Sequence, residues 1–295
     1  MSNKKIILML LVFLNFTFAY AEKLVVVSTT QIYDFAYNLA GDDLKVVSIL
    51  APGQDPHTYQ PVPKDIELVQ KADLVIENGL HLEGKNWMKT LAKDAGKPLV
   101  TATKGIKLLT MDEDGTKVND PHAWFTPRNA SAYMTNIANA FIKLDVANKD
   151  KYKARADLYM SQLKALDGWI RAEVSVIPPK KRILVTNHDA FQYFAKEYGF
   201  VNTAPIGWST GSEVGGGVTP KRREAVVNSI KSMGVKAIFF ETTINPKLIK
   251  EIAKDAGVSI GGELYSDSMG DRGSSAETYI GMMRENVIKI VTGLK

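Results

Sequence analysis

Short apolar, β-branched runs recur along the chain with helix-like patterns between them. In the first half they read "KLVVVSTT", "LKVVSIL", "DLVIEN" and "PLVTAT"; in the second, "RILVTN", "KAIFFETT" and "GVSIGGEL". Strands alternating with helices are the grammar of parallel α/β sheets. Between the halves, "NKDKYKARADLYMSQLKALDGWIRAEVSVIPPKK" places apolar residues at Tyr152, Leu158, Leu163, Leu166, Trp169, Ile170 and Val174, with charges between them. That spacing predicts one long amphipathic helix, stopped by Pro178 and Pro179. The pattern therefore predicts two lobes of parallel sheet flanked by helices, spanning residues 22–145 and 180–295 and joined by one rigid helix over 146–179. No short-period repeat and no Gly/Ser linker interrupts it.

Residues before this pattern have a different character. Lys4 and Lys5 precede an apolar run from Ile6 to Leu14, and small residues stand at Ala19 and Ala21. Such a stretch reads as a signal peptide over residues 1–21, cleaved after Ala21. It is too short to span a bilayer, and no later run approaches the necessary ~20 residues. Export into a bacterial periplasm is the expected location. The chain has no cysteine, so neither disulfides, thiolate ligands nor a lipoprotein anchor are expected. The formal charge of +5 includes the two leader lysines and is otherwise scattered, which offers no basic tract for nucleic acid.

Candidate chemistry lies in the four histidines. Two of them sit in the same tripeptide, "DPH", at His57 and His122, and each is followed two residues later by an aromatic. His57 follows a predicted strand across the Pro/Gly-rich loop "APGQDPHTYQP"; His122 precedes a helix expected to open at Pro127. His188 follows "RILVTN" at the predicted first turn of the next helix, and Asp267 lies in "YSDSMGD" after "GVSIGGEL". Ligands of open α/β sheets bind beyond the carboxyl ends of strands, so these loops place three imidazoles and one carboxylate at a cleft between the lobes. Such a set suits a first-row divalent metal at about 2.0–2.2 Å per bond. Asp55 and Asp120, two residues before each histidine, are candidates to brace the imidazole or to cap the loop. Bland readings stand beside these: His188 could cap a helix and Asp267 could form an Asx-turn. His81, outside the repeated motif, is expected to pack or hydrogen-bond near the cleft. Three ligand imidazoles must shed their protons to bind, so affinity is expected to fall between about pH 7 and 5. The rival reading is a secreted zinc hydrolase, but no "HExxH" is present, and four protein ligands would leave no open position for water. No "GxxxxGK[ST]" occurs, so the chain is not expected to energise transport itself.

Over nearly all of its length after the leader, the sequence resembles the metal-binding solute receptors of zinc and manganese ABC importers, a group that includes adhesin-type lipoproteins. The likeness is carried, in order, by "GQDPHTYQPVPKDI", "ADLVIENGLHLEG", "DPHAWFTP", "NHDAFQYFAKEYG", "ETTINPKLIKEIAKDAG" and "GGELYSDSMG". It implies a monomeric, non-catalytic receptor that delivers Zn2+ or Mn2+ to an inner-membrane ABC permease, with His57, His122, His188 and Asp267 as ligands and small lobe movements on loading. Two departures pull the cargo in opposite directions. Zinc-specific members often carry a long His-rich loop where this chain has only "LLTMDEDGTKVND", and many manganese members have Glu where this chain has His188.

Overall fold

The computed structural model describes residues 22–113, 116–187, 189–203, 219–242 and 246–295. The predicted signal peptide and His188 lie outside the described residues.

The amino-terminal lobe is built on four parallel strands: β1 (Leu24–Val27), β2 (Lys45–Ser48), β3 (Leu74–Glu77) and β4 (Leu99–Thr101). Their order is β2-β1-β3-β4, all parallel. Helix α1 (Thr30–Ala40) joins β1 to β2, α2 (Pro63–Lys71) precedes β3, and α3 (Trp87–Asp94) precedes β4. Val25, Val26 and Val27 are all fully buried, as a central strand covered on both faces requires. An antiparallel hairpin, β5 (Thr110–Glu113) with β6 (Thr116–Asn119), follows. The sequence pattern did not predict it, because its alternation is too polar to register as a buried strand. Helix α4 (Pro127–Leu144) opens at Pro127 as expected. Thr126 caps it by accepting from Asn129 N–H at 3.2 Å.

The connecting helix, α5 (Lys149–Ser175), has 27 residues and a length of about 40 Å. Its buried residues are Tyr152, Ala156, Tyr159, Leu163, Leu166, Ile170 and Val174, a single stripe at three- and four-residue spacing. Leu158, assigned to that face from sequence, is 63% exposed, because it lies one position away from Tyr159 and so points off the stripe. Through this face α5 packs on α4, α1 and the last helix, α9 (Tyr279–Leu294).

In the carboxy-terminal lobe β7 (Ile183–Val185) pairs in parallel with β8 (Val201–Thr203), and β9 (Ala237–Glu241) pairs in parallel with β10 (Ser259–Leu264). Helices α6 (Gln192–Tyr198), α7 (Pro220–Ser232) and α8 (Pro246–Ala256) lie between them. Helix α6 begins at Gln192, three residues after the start at Asp189 that "DAFQYFAKEYG" suggests, since Asp189–Phe191 form a bend and turn instead. One apolar core runs from Val25 and Ile76 in the first lobe, through α5, to Leu264 and Val287 in the second.

Candidate metal centre

Each site loop is held in place by different means. The His57 loop leaves the carboxyl end of β2. Asp55 shapes it: one carboxylate oxygen accepts from the His57 backbone N–H at 2.8 Å and the other from the Thr58 hydroxyl at 2.9 Å. Trp87 donates its indole N–H to the Pro56 carbonyl at 3.1 Å. On the other side lies Gly84, where a Cβ would sit 1.9 Å from the His57 carbonyl oxygen. Only glycine permits that approach. The segment leading to it is strained, with Leu80 and His81 at φ of 56° and 59°.

His122 belongs to a loop that follows the hairpin rather than a strand of the main sheet, which corrects the expectation that every site loop is a strand-end loop. It is brought to the carboxyl end of β3 by Asn78, whose side chain donates to the Pro121 carbonyl at 3.0 Å. Asn78 is fixed in turn by Glu83, a buried carboxylate that accepts from Ser28 Oγ, Asn78 N–H and Gly79 N–H at 2.6, 2.7 and 3.0 Å. Burial raises the Glu83 carboxyl above its ordinary range, with these donors opposing the shift. Asp120 acts on His122 twice: one oxygen accepts from the backbone N–H at 2.9 Å and from ring Nδ1 at 2.8 Å. With Nδ1 donating to that carboxylate, Nε2 is the atom turned to the cleft.

There His122 Nε2 lies 3.3 Å from His57 Nε2. Asp267, on the loop after β10, straddles the pair: Oδ2 is 3.5 Å from His57 Nε2 and Oδ1 is 3.4 Å from His122 Nε2. A tetrahedral ion with bonds of about 2.0–2.1 Å separates its ligands by about 3.3–3.4 Å, so the imidazole spacing fits the edge of such a polyhedron. The carboxylate, with an oxygen toward each ring, can bind through one atom or both. Asp267 and His122 are 3% and 1% exposed, whereas the His57 side chain is 17% exposed and forms the open side. Burial opposes charging His122, but Asp267 and Asp120 outweigh it and push its pKa up to about 10.

Of the four ligands expected from sequence, the structure thus brings together His57, His122 and Asp267, the group of His, Asp and Glu able to hold an ion among the described residues. His81 is not part of it; its Nε2 contacts the Asn119 carbonyl at 2.7 Å. Trp124, Phe191, Tyr193 and Phe194 are buried in the core. Sequence reasoning missed Gly84, Trp87 and Glu83. Their signal was present in "NGLHLEGKNW", where two glycines flank the histidine that drew attention instead.

The sequence profile of the periplasmic zinc-uptake complex component A family matches residues 25–293. The chain belongs to that family. As a member of the zinc-uptake component A family it shares 36% identity over 272 residues with the manganese-binding lipoprotein MntA of Halalkalibacterium halodurans, covering 92% of this chain and 88% of that protein. With the iron-binding protein YfeA of Yersinia pestis it shares 38% over 278 residues, covering 92% and 87%. Its fold superposes on the periplasmic zinc binding protein TroA from Treponema pallidum with a TM-score of 0.84 at 32% identity, over 93% of this chain and 99% of that one. The resemblance drawn from the motifs is borne out, and with it the non-catalytic class: these relatives are binding proteins, not enzymes, which removes the hydrolase reading.

Proposed function

We propose that the protein is a periplasmic receptor that captures a divalent transition metal and passes it to an ABC permease in the inner membrane. The observation that carries this reading is the buried convergence of His57 Nε2, His122 Nε2 and the Asp267 carboxylate at 3.3–3.5 Å. His188 is the fourth ligand in this reading, and the protein acts as a monomer of two lobes, 22–145 and 180–295, joined by 146–179. With no cysteine to acylate, it works free in the periplasm, unlike the relatives named lipoproteins.

The cargo is Zn2+ or Mn2+. Relatives are named for manganese, iron and zinc, so membership of the family leaves the metal open and the donor set must decide. Imidazole-rich coordination and the Irving–Williams order favour zinc in direct competition. Competitive titration of the purified protein with both metals tests this, and zinc is expected to bind more tightly by more than tenfold. Replacing His188 with Glu trades nitrogen for hard oxygen and is expected to narrow that ratio; a ratio that widens, or manganese winning outright, overturns the zinc preference.

A further inference from the structure

We infer that Thr30 and Gln31, in the amino-terminal lobe, are positioning residues for Asp267 in the carboxy-terminal lobe. This rests on the metal-receptor reading and adds to it the groups that aim its carboxylate.

The two residues open α1 immediately beyond the carboxyl end of β1. Gln31 donates its side-chain N–H to the carbonyl of Ser266, the residue before Asp267, at 2.9 Å. Thr30 Oγ1 accepts from the backbone N–H of Met269, two residues after Asp267, at 3.0 Å. The Thr30 hydroxyl donates in turn to Gln31 Oε1 at 3.3 Å, which fixes the orientation of the amide with its nitrogen toward Ser266. A closed path therefore brackets Asp267 on both sides: Met269 N–H to Thr30, Thr30 to Gln31, Gln31 to the Ser266 carbonyl. A third bond runs beside it, from Gly53 N–H to Ser268 Oγ at 2.7 Å.

Every member of the bracket is buried. Thr30, Gln31, Ser266, Asp267, Ser268 and Met269 are all less than 7% exposed, so water does not readily replace a lost bond. On its own lobe the loop is held by the backbone leaving β10 and by the Ser266 hydroxyl donating to Glu241. The backbone on either side of Asp267 is thus fastened to the lobe that supplies both Asp-Pro-His histidines. That arrangement makes three donors from two lobes behave as one preassembled half-site, and it sets which carboxylate oxygen faces which imidazole.

The experiment measures zinc affinity by chelator competition, and the visible absorption of the Co2+-loaded protein, for wild type, Gln31→Met, Thr30→Val and Thr30→Ser. His122→Ala and Asp267→Ala serve as controls. Gln31→Met and Thr30→Val are expected to weaken zinc by about tenfold or more, the range for groups that orient a ligand, and to alter the Co2+ spectrum through a changed Asp267 coordination. Thr30→Ser, which keeps the hydroxyl, is expected to restore wild-type affinity and spectrum. A purely structural role would lower the melting temperature without moving the spectrum. Should Gln31→Met not fold, the Thr30→Val and Thr30→Ser pair decides. If both controls lose zinc while Gln31→Met and Thr30→Val bind it with wild-type affinity and spectrum, the bracket is overturned and the receptor stands. If the controls bind zinc like wild type, the receptor reading falls and the bracket falls with it.

Discussion

The two Asp-Pro-His loops share a tripeptide and differ in what the aspartate does. At Asp120 one carboxylate oxygen holds both the backbone and the ring of His122, inside a fully buried setting. At Asp55 the oxygens go to the His57 backbone N–H and the Thr58 hydroxyl, on a loop that is largely exposed. One aspartate orients its imidazole and, with Asp267, raises its proton affinity; the other shapes the chain. The difference teaches that burial, more than the motif, decides the role of a carboxylate: excluded from water, Asp120 acts strongly on the nearest cationic partner.

The largest effect is expected on the His57 side, which depends on backbone fit. Gly84→Ala would drive a methyl group into the His57 carbonyl, and overpacking against backbone costs about 3 kcal/mol. Chemical denaturation should show that loss, with weakened metal binding alongside. Unchanged stability would mean that the two loops are not in contact.

Next comes the contrast between the aspartates. Asp120→Asn is expected to reduce metal affinity by about 10- to 100-fold, and Asp55→Asn by only a few-fold; equal losses would erase the distinction. The pH dependence sharpens it. His122 in the metal-free fold has a pKa raised to about 10 from an ordinary value of 6.5. A raised pKa stabilises the metal-free fold fully below 6.5, and that contribution is lost as pH rises through about 10. A bound metal must displace this proton, so affinity should climb by about one decade per pH unit from neutral pH toward 10. The range is more alkaline than the pH 7 to 5 window expected from unperturbed imidazoles. Asp120→Asn should flatten the climb, as read by titration calorimetry across pH 7–9, and Asp55→Asn should leave it unchanged.

The smallest effect concerns the far support of the His122 loop. Tyr193, from the carboxy-terminal lobe, accepts from Leu109 N–H at 3.1 Å and donates to the Asp120 carbonyl at 3.3 Å. Tyr193→Phe should cost about 1 kcal/mol in thermal or chemical unfolding. A similar loss caused by a distant surface substitution would show that this bond has no special place.

Seven of the ten strands among the described residues were legible as short apolar runs, most plainly β3 and β9, which are buried throughout and apolar nearly throughout, as strands covered on both faces are. The hairpin and β8 were not: Thr110–Asn119 is mostly polar, and Val201–Thr203 holds one apolar residue, Val201, which is itself exposed. In the centre, the converging His57, His122 and Asp267 were legible because only a few residue types can hold a metal ion. Their supports were less so. Gly84 matters for the side chain it lacks, and Thr30 and Gln31 act across more than 230 residues of sequence, a relation that no local pattern encodes. The resemblance implied a ligand set as a whole, but it could not say that one aspartate grips a ring while its twin shapes a loop.

The unbroken apolar core that passes from β1 through α5 into α9 has a consequence for timing. To swing the lobes widely apart would bare part of that core, at about 1.5–3 kcal/mol for each large side chain exposed, and a few such residues would approach the stability of the whole fold. Exchange of an ion by local rearrangement of the cleft loops exposes much less. On that ground the residence time of a bound ion would be set by how often a handful of buried hydrogen bonds open, a latch whose clock is in its loops.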